Sequence, residues 1–312
     1  MPENTELREK IINWTLFILL SFIWGSSFVL MKEGMQVLSP FQVAALRILS
    51  AGAVLIPFTY RALKEVPKNK LGLVALSGII GSFIPAFLFC LAETKIDSSL
   101  AGILNALTPF FTILVGIAFF ELKAERKKII GILIGFVGLI LLFTGNGHID
   151  FKNVSYSSFI FVATILYGLN VNMVGKHMKG IGSINIATLA FVFLIFPCLL
   201  ILFFTGYFSL PLVHKEYLIS TTASAVLGIM GTAVASILFY MLIKRAGAVF
   251  SSTVTYGIPF VAVFWGLLLN EQITIWQVLS LSVILLGVYL ANSNKNPFSR
   301  FRSKEKGSIS NE

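Results

Sequence analysis

Long uninterrupted runs of apolar residues recur along nearly the whole sequence. Most are near the roughly 20 residues that an α-helix needs to cross about 30 Å of hydrocarbon. A membrane β-barrel would instead show ten-residue segments that alternate apolar and polar positions. The pattern therefore predicts an all-α polytopic membrane protein with ten transmembrane helices. The ten runs are residues 13–30, 41–60, 71–92, 98–119, 129–144, 156–174, 184–205, 218–242, 248–269 and 273–291.

The composition agrees with a chain that is solvated by lipid. Of its 312 residues, 56% are apolar and 12% are charged, whereas typical soluble domains carry about 25% charged residues. A soluble protein this apolar would expose large hydrophobic patches to water. The two cysteines, Cys90 and Cys198, lie inside apolar runs, which indicates packing residues and no disulfide framework.

The basic residues alternate between the connections on the two sides of the predicted bundle. The net charge of +10 could suggest a nucleic-acid partner. With the N-terminus placed in the cytoplasm, however, nineteen of the 24 Lys and Arg residues fall in cytoplasmic segments and four in outer loops. This bias predicts a multi-pass protein of the cytoplasmic (inner) membrane with both termini cytoplasmic, and it assigns the charge to topology and to anionic lipid. The basic, polar residues 292–312 are expected to form a disordered cytoplasmic tail.

The second half of the sequence repeats the first. A shift of 150 positions aligns residues 78–121 with 228–271 without a gap. A shift of 149 pairs Gly138 with Gly287, and a shift of 143 pairs Trp24-Gly25 more weakly with Tyr167-Gly168. Periods of this kind indicate a repeat architecture.

Each repeat contains five predicted helices, and the predicted units are residues 13–144 and 156–291. Because five is odd, the second unit must enter the membrane upside down relative to the first. Inverted repeats recur in secondary transporters, where one module in two orientations gives two nearly equivalent conformations. The alternative is a duplication that was kept only for packing.

The sequence resembles the drug/metabolite transporter superfamily, and within it the EamA-type exporters. The resemblance covers about residues 13–291 and implies two EamA domains around a central cavity, with export of amino acids or related metabolites. The residues that carry it are Trp24-Gly25-Ser26-Ser27-Phe28, Lys32, Arg47, Pro109, Glu121, Pro259, Glu271 and Gly287-Val288-Tyr289-Leu290.

Two prolines near the middle of corresponding predicted helices, Pro109 and Pro259, suggest where a substrate binds. A proline inside a helix frees the carbonyl four residues earlier, which belongs here to Asn105 and Thr255. Freed carbonyls need partners in hydrocarbon, so this backbone should face protein or a wet cavity. The prediction is a site near the membrane midplane, and the alternative is that small residues on these helices only allow close packing.

Further polar and aromatic side chains lie at similar depth, although each also has a structural interpretation as a packed or internally bonded residue. Trp24, in the outer half of helix 1, and Tyr167, in the inner half of helix 6, are candidate gates for the two mouths. Arg47 could receive a substrate carboxylate, or it could snorkel outward or cap backbone carbonyls. The predicted cavity residues are Trp24, Ser27, Arg47, Asn105, Thr108, Pro109, Tyr167, Asn170, Ser236, Tyr240, Ser252, Thr255, Tyr256 and Pro259.

The sequence contains no Walker motif, no zinc-type histidine spacing and no Ser/His/Asp set. The chain is therefore predicted not to be an enzyme and to need no cofactor or metal. The predicted function is secondary transport that exports small metabolites by alternating access, with a small-molecule substrate and membrane lipid as partners. The alternatives are a membrane enzyme that acts on lipid-linked substrates, and a channel. The oligomeric state is open, and a monomer is compatible with the sequence.

Overall fold

The computed structural model describes residues 2–96, 98–123, 125–144, 154–261 and 275–292, and these residues are mostly helical. In the first half, the helices are α1 Pro2–Gly34, α2 Pro40–Leu55, α3 Thr59–Glu65, α4 Leu71–Gly78, α5 Ile84–Ala92, α6 Ser98–Asn105, α7 Thr108–Phe120 and α8 Arg126–Thr144. In the second half they are α9 Val154–His177, α10 Ser183–Val192, α11 Ile195–Phe204, α12 Lys215–Gly228, α13 Ala235–Ser252 and α14 Ile275–Asn292.

These helices group into ten membrane spans, which confirms the predicted fold. Spans 1, 5, 6 and 10 are the single helices α1, α8, α9 and α14. Spans 2, 3, 4 and 7 each combine two short helices, in the order α2–α3, α4–α5, α6–α7 and α10–α11. The stretch Lys215–Val261 is 47 residues long and contains two spans, because Gly247 breaks the helix with a φ of 84°. Span 9 is described only as far as Val261.

Helix-to-helix contacts at glycines display the inverted repeat in three dimensions. A Cβ atom placed on Gly25 of span 1 would lie 2.7 Å from the side chain of Val261 in span 9. A Cβ atom on Gly168 of span 6 would lie 2.9 Å from the backbone of Phe111 in span 4. Gly25 and Gly168 are related by the shift of 143, and Phe111 and Val261 by the shift of 150. The two halves therefore make the same contact in exchanged roles.

Spans 5 and 10 pack on each other through a seam of glycines. A Cβ atom on Gly287 would lie 2.3 Å from the backbone nitrogen of Gly135 and 2.7 Å from the carbonyl oxygen of Gly131. Small residues let helix backbones approach this closely, which is a main source of helix association in lipid. The seam lies beside the other spans, seven of which line the cavity described next.

Two predicted helices differ from the observed ones. The predicted helix 98–119 is interrupted after Asn105, and Pro109 lies in the first turn of α7 instead of mid-helix. In span 9, Thr253–Gly257 forms a narrow 3-10 segment. Proline is favoured in a first helical turn, where its missing N–H costs no hydrogen bond. Of the predicted tail at residues 292–312, the first residue, Asn292, ends α14, and residues 293–312 lie outside the described residues.

Candidate functional site

A cavity of about 110 Å³ lies among spans 1, 2, 3, 4, 6, 8 and 9. Of the fourteen residues predicted for it, eleven line its wall: Trp24, Ser27, Arg47, Asn105, Thr108, Tyr167, Asn170, Ser236, Tyr240, Ser252 and Thr255. The described wall also includes residues that were not predicted: Phe28, Met31, Gly81, Ser82, Phe89, Val171, Gly231, Thr232, Phe239 and Ile258.

Three predicted residues are not part of the described wall. Pro109 lies in the first turn of α7 and Pro259 is buried in span 9, and neither belongs to the cavity lining. Tyr256 is fully buried, and its hydroxyl donates to the carbonyl oxygen of Ile132 at 2.8 Å. Tyr256 therefore ties span 9 to span 5, which is a structural role. Its sequence neighbour Thr255 points to the cavity instead.

The breaks in spans 4 and 9 bring polar backbone to the cavity wall. The carbonyl oxygen of Asn105 accepts a hydrogen bond from the Thr108 hydroxyl at 2.6 Å. In span 9 the Thr255 hydroxyl donates to the carbonyl oxygen of Ser252 at 3.1 Å. Hydroxyl groups thus satisfy carbonyls at both breaks, as irregular backbone at membrane depth requires. Asn105 and Thr255 remain 8% and 7% exposed, so each keeps a small surface that a solute can reach.

The same aromatic contact occurs twice in the cavity, once for each half. The rings of Trp24 and Phe239 are 5.0 Å apart at their centroids, and those of Tyr167 and Phe89 are 6.2 Å apart. Trp24 and Tyr167 are related by the shift of 143, and Phe89 and Phe239 by the shift of 150. The indole nitrogen of Trp24 also donates to the carbonyl oxygen of Gly231 at 3.2 Å. Each pair therefore joins one half of the chain to the other.

The aromatic partners of Trp24 and Tyr167 lie toward opposite faces of the bundle. We call the side at which span 1 begins the N-terminal face. Phe239 belongs to the part of span 8 that approaches the N-terminal face, whereas Phe89 lies near the far end of span 3. Helical side chains lean toward the helix N-terminus, so the rings of Trp24 and Tyr167 lean in opposite directions, each toward its partner.

A wide, π-helical turn interrupts both span 3 and span 8 beside the cavity. The turns are Ile79–Phe83 and Ile229–Val234, and their first residues are 150 positions apart. Such turns occur frequently at functional sites. A Cβ atom on Gly231 would lie 2.6 Å from the Ser27 hydroxyl, and one on Gly81 would lie 2.1 Å from the Asn170 amide. Ser27 and Asn170 are related by the shift of 143. Each wide turn thus lies against the equivalent residue of the opposite half.

The two halves differ in the polarity of the side chains that lie beside these wide turns. The Ser77 hydroxyl donates to the side-chain oxygen of Asn170 at 2.7 Å and lies 3.3 Å from the Tyr240 hydroxyl. The corresponding residues of the other half are Leu227, Ser27 and Cys90. One side of the cavity therefore has a buried cluster of three polar side chains that the other half does not repeat.

Arg47 gives the cavity its positive charge. Its Nε donates to the hydroxyl of Thr232 at 2.7 Å, and its side chain lines the wall rather than extending outward along the helix. Within the described part of the chain, Arg47 makes no ion pair and no acidic side chain lines the wall. The corresponding position in the second half is Ala190, which is fully buried. An arginine at membrane depth costs about 2.5–3.5 kcal/mol on insertion scales, so an arginine at this position points to function.

The fold defines a multi-pass membrane protein, and its spans enclose an internal cavity. Comparison with known families places the chain in the EamA-like transporter family, whose model matches residues 12–144 and 155–293. The chain belongs to this family, and it is a transporter and not an enzyme. Among the described residues, no group of three His, Cys, Asp or Glu side chains is placed to hold a metal ion.

The chain is similar over most of its length to several curated transporters. It is 25% identical to an uncharacterized transporter of Archaeoglobus fulgidus over 89% of this chain and 97% of that protein. It is 26% identical to the uncharacterized inner membrane transporter YedA of Escherichia coli K12 over 89% and 90% of the two chains. A probable amino-acid metabolite efflux pump of Escherichia coli K12 matches at 31% identity over 41% of each chain. A solved crystal structure aligns with a TM-score of 0.66 at 18% identity, over 91% of this chain and 96% of that one, and it shows the fold alone.

Proposed function

We propose that the chain is a secondary transporter that exports small metabolites, of the amino-acid class or related to it, by alternating access. The observation that carries this proposal is the twofold occurrence of the aromatic contact, Trp24 with Phe239 and Tyr167 with Phe89, around one cavity. A carrier needs two conformations within a few kcal/mol, so that a solute can shift their populations. Two halves that make the same contacts in exchanged roles supply that near-equality.

The moving units are proposed to be the two halves, residues 13–144 and 156–291. In the structure, α1 packs closely along α12 on the side remote from the N-terminal face, where the Ser220 hydroxyl donates to the carbonyl oxygen of Glu33 at 2.9 Å. The corresponding helices of the other half, α9 and α4, touch at few positions. This difference supports a conformation that is closed at the remote side and less tightly closed at the N-terminal face.

The mechanism is tested by counterflow in liposomes that contain the purified protein and no nucleotide. Preloaded unlabelled solute should drive a transient uptake of the same labelled solute above its equilibrium level. A carrier produces this overshoot because its site faces one side at a time, and a channel does not. An absolute requirement for ATP contradicts the proposal. It is also contradicted if none of the amino acids and none of their 2-oxo acids produces an overshoot.

The orientation proposed from the charge bias is that both termini are cytoplasmic. Single cysteines in place of Lys68 and Arg126, in a chain whose Cys90 and Cys198 are alanine, should resist a membrane-impermeant thiol reagent added to intact cells. The same cysteines should react after the cells are opened. A cysteine in place of Lys215, which is proposed to lie outside, is the matched control and should react in intact cells. Labelling of residue 68 or 126 from outside defeats the proposed orientation.

A further inference from the structure

We propose that the transported solute carries a single carboxylate on a small apolar or aromatic body, and that Arg47 receives this carboxylate in the cavity. This inference rests on the proposed function, because it names the substrate class of the same site. It is carried by the charge, the hydrogen bonding and the symmetry of the described residues that form the wall.

The guanidinium of Arg47 has donors that its protein partners leave unused. A guanidinium presents five N–H donors in a fixed plane. Thr232 takes the donor on Nε at 2.7 Å, and no other hydrogen bond of the Arg47 side chain occurs within the described ranges. The two terminal nitrogens form a fork that matches the two oxygens of a carboxylate, which is the geometry of the strongest charge-assisted pairs. Thr232 holds the fork in place, so we assign it as a positioning residue.

Comparison of the two halves shows that the positive charge of Arg47 occurs in the first half and has no equivalent at Ala190 in the second. The backbone of Arg47 and that of Ala190 make the same contact, since a Cβ atom on Gly228 or on Gly78 would lie 2.3 Å from the carbonyl oxygen of the respective residue. Packing at this position is therefore satisfied by alanine in one half of the molecule. The arginine side chain is not needed for that contact, which leaves its charge as the feature to be explained.

The rest of the wall indicates what the carboxylate is attached to. Six aromatic residues from four spans surround the cavity: Trp24, Phe28, Phe89, Tyr167, Phe239 and Tyr240. No acidic side chain belongs to the described wall, so a cation without a carboxylate would meet only the like charge of Arg47. The volume of about 110 Å³ is below the roughly 300–1,000 Å³ of pockets for drug-sized ligands. A small acid with an apolar or aromatic side therefore matches the site better than a large drug or a polyamine.

The test compares acids with their own primary amides, which have nearly the same size but lack the negative charge of the carboxylate. The probe pairs are L-leucine and L-leucinamide, L-phenylalanine and L-phenylalaninamide, and phenylacetate and phenylacetamide. The measurement is the shift in the thermal unfolding midpoint of the purified protein in lipid nanodiscs as each probe is titrated, since a ligand that binds only the folded state raises that midpoint. At least one acid should raise it, and the matching amide should not.

Variants then assign the effect to Arg47. Arg47→Gln should raise the half-saturating concentration of the effective acid at least about tenfold, as expected for losing a charge-assisted pair. Arg47→Lys keeps the charge without the fork and should have a smaller effect, as should Thr232→Val, which removes only the positioning bond. Arg61→Gln makes the same chemical change at an exposed arginine bonded to Glu65, and it should leave the response unchanged.

The outcomes separate this inference from the proposed function. Amides that stabilise as well as acids, no stabilisation by any acid, or an unchanged response in folded Arg47→Gln would overturn the inference. If Arg47→Gln does not fold, an unchanged response in both Arg47→Lys and Thr232→Val overturns it. If the protein shows counterflow of a neutral solute, and Arg47→Gln does not change that counterflow, the carboxylate inference is wrong but the proposed exporter function stands. If acids stabilise the protein and their amides do not, but no probe shows counterflow, the carboxylate site stands and the proposed exporter function is wrong.

Discussion

Replacing Gly287 with leucine is expected to prevent spans 5 and 10 from packing, so that little folded protein is recovered. A Cβ atom at this position would lie 2.3 Å from the backbone nitrogen and 2.5 Å from the Cα atom of Gly135. These are backbone atoms, so no rotamer change can relieve the overlap. Overpacking costs about 1–3 kcal/mol where side chains can adjust, and more is expected here. Because each 1.4 kcal/mol shifts an equilibrium about tenfold, the yield should fall to roughly a tenth or lower.

The measurement is the fraction of protein that elutes as a single species after detergent extraction, relative to the amount in the membrane. Gly72→Leu is the matched control, because an added Cβ there would meet no atom within 4 Å and the position is exposed. It adds the same side chain to another membrane helix and should leave the yield near that of the wild type. Normal yield of Gly287→Leu would show that spans 5 and 10 do not form the close seam.

A cross-link between Gly34→Cys and Ser224→Cys is expected to stop transport in proportion to the fraction that is oxidised. The Ser224 hydroxyl oxygen lies 2.6 Å from the place of a Cβ atom on Gly34, so two cysteines there are within disulfide reach. The bond would join α1 to α12 on the side remote from the N-terminal face and outside the described cavity wall. If the halves must separate there to expose the site, a covalent bond traps the conformation seen in the structure.

This experiment uses a chain in which the buried cysteines Cys90 and Cys198 are alanine. Counterflow is measured after oxidation and again after reduction, and reduction should restore it. The two single-cysteine variants, oxidised in the same way, control for the substitutions themselves. Full counterflow in a quantitatively cross-linked sample would mean that this side does not open during transport, and rocking of the two halves would have to be abandoned.

Hydrophobicity is sufficient to predict the spans, because lipid imposes a minimum length on every helix that crosses it. The repeat is predicted from the residues that align at the shift of 150. The weak match of Trp24-Gly25 with Tyr167-Gly168 proved to be structural, since both positions make the same contacts with the opposite half. The repeat also contained signals that could have found more of the cavity. Phe89 and Phe239 align at the shift of 150, and both line the wall.

Other features could not be predicted, because inside a membrane bundle both lipid-facing and protein-facing surfaces are apolar. Nothing in the residue type distinguishes Phe28, which lines the cavity, from Phe22, which is 42% exposed. The wide turns add a further difficulty, since an extra residue rotates the rest of the helix by about 100° relative to a regular pattern. Tyr256 illustrates the same limit at the 3-10 segment of span 9, where a polar aromatic residue faces span 5 instead of the cavity.

The paired wide turns also record the order of events in the history of the chain. A π-helical turn holds one residue more than an α-helical turn, and it begins at Ile79 in one half and at Ile229 in the other. The same extra residue at the same place in both halves indicates that the single ancestral module already had it. Arg47 has no such counterpart, since Ala190 occupies its place. The wide turns are thus older than the duplication, and the difference in charge between the two halves arose after it.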